Sequence, residues 1–87
     1  MKMLFYAYVL QSQKSGRFYI RHTQNLVERL SRHNSGMVKA TKNKGPWSIV
    51  YSESFKSKLE ANQRELEIKS KKSRAYIEKL IEKAENS

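Results

Sequence analysis

This 87-residue chain has no cysteine and no aspartate, and it holds one proline and three glycines. Without cysteine it cannot form disulfides, thiolate zinc sites or a cysteine nucleophile, so burial of apolar side chains must stabilise the fold. Without aspartate, the clustered aspartates of the common two-metal nucleases are excluded as well. Any metal site in this chain must therefore be poor in carboxylates and rest on glutamate.

Long hydrophobic runs are also lacking. The most apolar segment, residues 1–10, turns polar at Gln11 and is too short to span a membrane. Its aromatic residues alternate as in a strand and no small-residue cleavage site follows, which argues against a signal peptide. A chain of 87 residues is near the lower limit for independent folding. We expect one domain over residues 1–87, cytoplasmic and without a membrane partner.

Positive charge dominates the first part of the chain. The formal net charge is +10, from 18 Lys and Arg against 8 acidic residues. Residues 1–52 contain a single acid, Glu28, and the other seven glutamates follow in residues 53–87. A field of this sign attracts phosphate backbones through counterion release, although a ribosome or membrane surface would also be compatible with it. Charge alone therefore predicts only a polyanionic partner.

The apolar pattern predicts six elements in the order β-β-α-β-α-α. Residues 4–10 have apolar side chains at odd and at even positions, as in a central strand that is covered on both faces. After a turn, residues 17–20 form an antiparallel partner strand. Residues 47–55 alternate as a third strand, which places Trp47, Ile49 and Tyr51 on one face. The expected fold class is α+β, a three-stranded antiparallel sheet flanked by helices.

Each predicted helix begins at a side chain that can cap it. The candidate caps are Thr23 or Asn25, Ser57 in a capping box with Glu60, and Ser73. In the first helix Leu26, Val27 and Leu30 are expected to form the buried stripe, and Gly36 is a plausible stop. Residues 36–46 then form a basic loop before the third strand.

Glu65 is the residue of the second helix that is hardest to explain by packing. On a helical wheel two apolar lines run along this helix, Leu59 with Leu66 and Ala61 with Ile68. Glu65 falls between these two lines. An unpaired carboxylate on an apolar side is costly, so Glu65 should pair with a cation, bind a metal or face a cleft. The structural alternative is an i, i+4 ion pair with Lys69.

Four further side chains suit phosphodiester chemistry. Arg29 and His33 lie four residues apart at the border of the first helix's apolar stripe. An arginine can stabilise a phosphorane-like charge, and a histidine can relay a proton near neutral pH. Tyr8 and Tyr19 lie on neighbouring strands, so their phenols can meet over one sheet face. Each residue alone has an ordinary explanation, such as packing on a strand or capping a helix end. In combination with Glu65 they suggest a site that uses Mg²⁺ or Mn²⁺.

At these positions the sequence resembles the GIY-YIG nuclease family over nearly the whole chain, particularly its small stand-alone bacterial members. Residues 6–10 occupy the place of the first signature, with Tyr8 as its tyrosine, and Tyr19-Ile20-Arg21 occupies the second. Residues 25–36 match the family helix in which Arg and His stand four apart. Residues 44–51 resemble the loop and third strand, and residues 60–69 resemble the metal-binding helix.

The resemblance implies a DNA endonuclease that hydrolyses phosphodiester bonds with a single divalent ion, Mg²⁺ or Mn²⁺. The sequence is similar, in particular, to the N-terminal incision domain of the bacterial nucleotide-excision-repair nuclease. The implied catalytic residues are Tyr8, Tyr19, Arg29, His33 and Glu65. Glu65 is the implied metal ligand and Tyr8 the expected general base, with Tyr19 positioning water or phosphate, although these two roles are exchangeable.

Duplex or branched DNA is the expected partner, in repair or recombination, and no small-molecule cofactor is expected. The side chains expected to bind nucleic acid are Arg21, Lys39, Lys42, Lys44 and Lys69. A nuclease of the His-Asn type around His33 and Asn34 is disfavoured. That design needs a second histidine, and the available one, His22, lies between a strand and a helix without an obvious partner.

Arg21 departs from the family pattern, because the second signature ends in glycine. If that glycine serves a positive φ or a close approach of backbone to phosphate, arginine costs on the order of 1 kcal/mol and fills the space. Arg21 can instead contribute a phosphate contact of its own. The alternative function is therefore a catalytically impaired GIY-YIG-fold module that binds nucleic acid without cutting it.

Overall fold

The computed structural model describes residues 3–85. Its elements are β1 (Phe5–Ser12), β2 (Phe18–Thr23), α1 (Leu26–Asn34), β3 (Trp47–Phe55), α2 (Lys58–Ser70) and α3 (Arg74–Glu85). A 3-10 turn, Lys39–Thr41, lies in the loop before β3. The strands form one antiparallel sheet in the order β2-β1-β3. The predicted α+β fold and the element order are confirmed. Among residues 3–85, no helix has the length and apolar character needed to cross a membrane.

Both strands of the first hairpin are longer than the apolar pattern predicted. β1 continues through Gln11 to Ser12, and β2 continues beyond Ile20 to Thr23. Ser12 is buried, and its hydroxyl donates a hydrogen bond of 2.7 Å to the carbonyl of Lys44. Backbone pairing between strands and polar contacts hold these strand ends in place. Neither produces an alternation of apolar residues in the sequence.

Two apolar clusters fill the two faces of the sheet. The cluster beneath α1 contains Tyr8, Leu10, Trp47, Tyr19, Leu26, Leu30 and Ile49. The cluster beneath α2 and α3 is centred on Val9, Ile68 and Ile77. Because both faces are covered, β1 has almost no solvent-exposed side chains between Ala7 and Leu10. The prediction of a central strand that is buried on both sides is confirmed.

A β-bulge in β3 changes the face on which Tyr51 lies. Val9 of β1 pairs with Tyr51, but the next residue, Leu10, pairs with Ile49, which leaves Val50 as the extra residue. Ile49 therefore packs beneath α1, whereas Tyr51 packs in the cluster beneath α2 and α3. The prediction that Ile49 and Tyr51 share a face was wrong, because a two-residue alternation does not survive a bulge.

All three helices begin at predicted caps, and at α3 the Ser73 hydroxyl accepts a hydrogen bond of 3.1 Å from the backbone N–H of Tyr76. The side chain of Asn25 accepts a hydrogen bond of 3.0 Å from the backbone N–H of Glu28. Ser57 Oγ accepts one of 3.2 Å from the backbone N–H of Glu60. Gly36, just beyond α1, has a φ of 80°, a left-handed conformation that glycine adopts without strain. The predicted start and stop of α1 are thus confirmed.

Three apolar side chains that the helical pattern assigned to apolar faces are exposed. Val27 is 81% exposed on α1, and Leu59 and Leu66 are 65% and 55% exposed on α2. In α2 the other line, Ala61 with Ile68, packs against the sheet. A helix lying on a three-stranded sheet buries a narrow stripe, so its second apolar line stays in solvent.

Candidate active site

Tyr8 and His33 meet in a hydrogen-bonded chain beneath α1. Tyr8 Oη lies 3.1 Å from His33 Nε2, and His33 Nδ1 lies 2.8 Å from Thr41 Oγ1. The Thr41 hydroxyl donates to the carbonyl of Val38 at 3.3 Å, so it is left to accept from His33 Nδ1–H. This pattern assigns a neutral histidine whose Nε2 accepts the Tyr8 proton.

Burial sets the protonation of both groups. Tyr8 and His33 are 1% and 3% exposed. Burial raises the pKa of Tyr8 to about 12, although the positive charges of Arg29 and Arg21 act in the opposite direction. Burial lowers the pKa of His33, and repulsion from Arg29 and Arg21 lowers it further. His33 is therefore an uncharged acceptor near neutral pH.

The free energy of unfolding should fall as the pH drops below 6.5, the ordinary pKa of histidine. Because the pKa of His33 is lower in the folded chain, the unfolded chain binds more protons below that pH. The stabilisation is complete above pH 6.5 and is lost as the pH falls through the folded value. Urea unfolding at several pH values measures this effect, and His33→Gln should flatten the dependence. An equally steep dependence in the variant would rule out a buried neutral His33 as its source.

Tyr19 and Arg21 lie on the same side of the sheet as Tyr8. The Tyr19 ring centroid is 5.6 Å from that of His33, so both phenols contact one imidazole. Arg21 is the cross-strand partner of Tyr8, and its Nη1 donates to the Tyr19 hydroxyl at 3.2 Å. The arginine at the signature-glycine position is thus bonded to one of the two tyrosines.

Glu65 is buried on α2, and both of its carboxylate oxygens have partners. Oε1 lies 2.6 Å from His22 Nδ1, and Oε2 accepts from Lys69 Nζ at 2.5 Å. Burial raises the pKa of Glu65, but the hydrogen bonds from Lys69 and His22 outweigh burial, and the pKa lies below its usual 4.5. The i, i+4 pair that the sequence allowed is present, and His22 is an additional partner.

Glu65 is the predicted ligand of the divalent ion. Within residues 3–85, no three His, Cys, Asp or Glu side chains lie close enough together to form a metal site. Mg²⁺ does not need such a group, because it retains several waters and accepts substrate oxygens as ligands. The Lys69 side chain is 43% exposed and can turn into solvent, which would release Oε2 of Glu65. The donor set therefore fits Mg²⁺ or Mn²⁺ bound through one carboxylate.

A cavity of about 260 Å³ opens at the end of β2. Four of its lining side chains can carry positive charge, namely Arg21, His22, Arg29 and Lys58, and no acidic side chain lines it. The Nε atom of Arg29 is buried and has no hydrogen-bond partner among residues 3–85. The cavity is therefore suited to phosphate.

Of the five residues predicted to be catalytic, Tyr8 and Tyr19 both contact His33 on the α1 side of the sheet, whereas Glu65 lies on the α2 side. The pKa of Tyr8 responds to the charges of Arg29, Arg21, Tyr19 and Glu65, and His33 is hydrogen-bonded to it. Glu65 approaches from the α2 side, beside His22, which pairs with Ala7 of β1. Of the predicted nucleic-acid contacts, Arg21, Lys39, Lys42 and Lys44 are exposed. Lys69 instead forms an ion pair with Glu65.

Three residues of this site were missed by sequence reasoning. His22 was considered only for a His-Asn nuclease, because β2 was predicted to end at Ile20. A strand extended through Thr23 would have placed His22 on the α2 face by parity. Thr41 and Lys58 carry no sequence signal, since an irregular loop and the first turn of a helix commonly contain such residues.

Comparison with known proteins identifies the family of this chain. Residues 4–80 match the family model described as the GIY-YIG catalytic domain. A UPF0213 protein of Staphylococcus haemolyticus is 42% identical over 65 residues, covering 74% of this chain and 78% of the relative. One from Bacillus pumilus is 41% identical over 83 residues, covering 90% and 84%. The solution NMR structure of a UPF0213 protein from Bacillus halodurans is similar at a TM-score of 0.56 and 34% identity, covering 92% of this chain and 84% of that one. The chain belongs to the GIY-YIG family.

Proposed function

We propose that this protein is a DNA endonuclease that hydrolyses phosphodiester bonds with one divalent ion, Mg²⁺ or Mn²⁺. The observation that carries the proposal is the bond from Tyr8 to a neutral His33 on the same sheet face as Arg21. Membership of the GIY-YIG family supports the nuclease class, and the net charge of +10 supports a nucleic-acid substrate.

Tyr8 and His33 together can take the proton that the attacking water loses. With a pKa of about 12, Tyr8 is almost never ionised at neutral pH and is a weak base alone. In the proposed step the water proton passes to Tyr8 Oη while the Tyr8 proton passes to His33 Nε2. The water oxygen forms a bond to phosphorus, the bond from phosphorus to the leaving oxygen breaks, and that oxygen takes a proton from solvent. Because Tyr8 is 1% exposed, the water must reach it beside the partly exposed Tyr19.

Arg29 and Tyr19 are assigned to the phosphate. Arg29 lowers the pKa of both Tyr8 and His33, so its charge acts on the reacting groups. The guanidinium of Arg29 lines the cavity, and its charge would stabilise an anionic phosphate oxygen there, increasingly as charge builds in the transition state. Tyr19 positions the phosphate through Arg21, which donates to its hydroxyl.

Glu65 is assigned to the divalent ion. The proposal requires Lys69 to release Oε2 when the ion binds, and His22 then holds Oε1 in place. When bound, an ion of this kind would supply Lewis-acid chemistry for phosphoryl transfer. The loop lysines Lys39, Lys42 and Lys44 would contact the backbone of the strand, which carries no sequence information by itself. We therefore propose cleavage selected by DNA structure, in repair or recombination.

Cleavage of a panel of DNA structures tests this function. Purified protein is incubated in Mg²⁺ with nicked, flapped, branched and plain duplex DNA of one sequence, with EDTA and an RNA duplex as controls. We expect cuts in the branched and flapped DNA, slower cutting of the plain duplex and none in EDTA. Equal rates on all four DNAs would remove structural selectivity from the proposal.

Arg21 favours a second candidate, a catalytically impaired module that binds nucleic acid. It stands at the signature-glycine position, and its guanidinium engages the Tyr19 hydroxyl. Such a module would bind DNA in a salt-dependent manner without turnover in Mg²⁺ or Mn²⁺. Cleavage by Arg21→Gly but not by the unaltered chain would identify it.

A further inference from the structure

We propose that a basic groove between the β1–β2 turn and the loop before β3 binds a single strand of DNA. Two adjoining cavities of about 570 and 500 Å³ form this groove, and its cations are Lys14, Arg17 and Lys44. In a branched substrate the groove would hold the single-stranded arm beside the position that is cut. The inference rests on the proposed function in that the ligand is DNA, but it concerns binding and does not require cleavage.

The basic groove begins at the candidate active site. Its first cavity is lined by His33 and Thr41, which are hydrogen-bonded to each other in the chain that starts at the tyrosine. Lys14 and Asn43 line both cavities, so the two cavities form one continuous path. The path leads from His33 to Arg17, which lines the second cavity. A strand in the groove would therefore extend directly from the catalytic side chains.

The three cations of the basic groove have no acidic partners. Six ion pairs join described residues, and their cations are His22, Arg32, Arg64 (twice), Lys69 and Arg74. Within residues 3–85, Lys14, Arg17 and Lys44 thus take part in no ion pair, and no acidic side chain of this range lines either cavity. All three are exposed. Phosphates of a bound strand could pair with them and release counterions.

Hydrogen bonds fix the two walls of the basic groove to each other. The hydroxyl of Ser12 donates to the carbonyl of Lys44 at 2.7 Å and accepts from the backbone N–H of Lys14 at 3.1 Å. The backbone N–H of Gln13 also donates to the carbonyl of Pro46 at 2.8 Å. These bonds join the turn to the loop. The groove is therefore formed before a ligand binds, which reduces the entropy that binding would cost.

The size and lining of the basic groove favour a single strand over a double helix. Both cavities fall within the ~300–1,000 Å³ that small-ligand pockets have, so each has room for a ligand the size of a nucleotide. Pro46 and Trp47 add apolar surface next to the cations. Unpaired bases can contact such surfaces, whereas the paired bases of a duplex are stacked inside it.

Binding of a labelled oligothymidylate, which does not form a duplex with itself, tests the basic groove. The dissociation constant is measured by fluorescence anisotropy in EDTA, where metal-dependent cutting does not occur. Lys14→Gln and Arg17→Gln should each weaken binding roughly threefold to tenfold near 0.1 M salt. Each should also reduce the slope of log K against log salt by about 0.7, the value for one phosphate contact on a single strand. Both side chains are exposed, so the variants should fold.

Lys79→Gln is the matched control, because Lys79 is an exposed lysine of α3 that lines neither cavity. A blunt duplex is the second control, and Lys14→Gln should weaken its binding no more than Lys79→Gln does. Equal effects of Lys14→Gln and Lys79→Gln on the single strand, or equal losses by Lys14→Gln for strand and duplex, would overturn the groove.

Failure of the basic groove and failure of the nuclease function give different results. A protein that binds the single strand through Lys14 and Arg17 but never cuts would retain the groove and lose the nuclease function. A protein that cuts branched DNA, and whose Lys14→Gln and Arg17→Gln variants bind the single strand as the unaltered chain does, would retain the nuclease function and lose the groove.

Discussion

Tyr8→Phe is expected to lower the single-turnover rate of DNA cleavage by about 10²–10⁴-fold, the usual contribution of a general base. The change deletes the hydroxyl whose proton His33 accepts and leaves the ring in the core. DNA affinity should stay within about twofold, because the buried Tyr8 is not assigned to phosphate binding. Cleavage under enzyme excess and binding in EDTA measure the two quantities separately.

Tyr51→Phe is the matched control for this prediction. Its hydroxyl bonds to Glu53 at 2.8 Å, and its ring lies in the cluster on the opposite face of the sheet. Tyr8→Phe also leaves His33 Nε2 without a donor, which costs about 1–3 kcal/mol in the free energy of unfolding. Urea unfolding checks that the variant is folded under assay conditions. Cleavage by Tyr8→Phe at the unaltered rate, with a large loss in Tyr19→Phe, would exchange the roles of the two tyrosines.

Glu65→Gln is expected to reduce cleavage in Mg²⁺ by about 10³-fold, because a metal ion supplies several kcal/mol of transition-state stabilisation. The amide keeps the shape of the side chain but loses the charge that is proposed to bind the ion. Glu82→Gln, on the exposed surface of α3, is the control for loss of a negative charge. Full activity of Glu65→Gln would mean that Glu65 serves only its ion pairs.

Lys69→Met separates the proposed metal-binding role of Glu65 from its structural role in the ion pair. The Lys69 ammonium donates a hydrogen bond to Oε2 of Glu65, so an ion that binds this oxygen must displace the ammonium. Without that competitor, half-maximal cleavage should require a lower Mg²⁺ concentration. If Glu65 were only a partner for Lys69, the Mg²⁺ requirement would not change. Measuring the cleavage rate of both proteins at a series of Mg²⁺ concentrations tests this prediction.

The fold was predictable from the sequence because its local signals agree. Asn25, Ser57 and Gly36 mark helix ends by local chemistry, which acts within one turn of the helix. β1 has apolar side chains on both faces, and this pattern indicates the central strand of the sheet. The face of Tyr51 was not predictable, since the bulge that moves it depends on pairing between β1 and β3. Local patterns do not record such a register shift.

The positions of the candidate site residues could be predicted where a single helix or strand determines them. Glu65 is conspicuous on its own helix, and Arg29 and His33 lie one turn apart on α1. The contacts of Thr41 and Lys58 depend on how a loop and the start of α2 lie against other elements, and no periodic pattern describes that. His22 became recognisable only when β2 was seen to extend to Thr23.

We propose that this chain cuts DNA through Glu65 although it carries Arg21 at the signature-glycine position. The most direct measurement is single-turnover cleavage of a branched DNA by the unaltered protein, with enzyme in excess, in Mg²⁺ and in EDTA, with Glu65→Gln prepared in parallel. We predict strand breaks that appear with Mg²⁺, are absent in EDTA and are reduced about 10³-fold in the variant. DNA that is bound but remains uncut in both Mg²⁺ and Mn²⁺, or that is cut equally by Glu65→Gln, would contradict the claim.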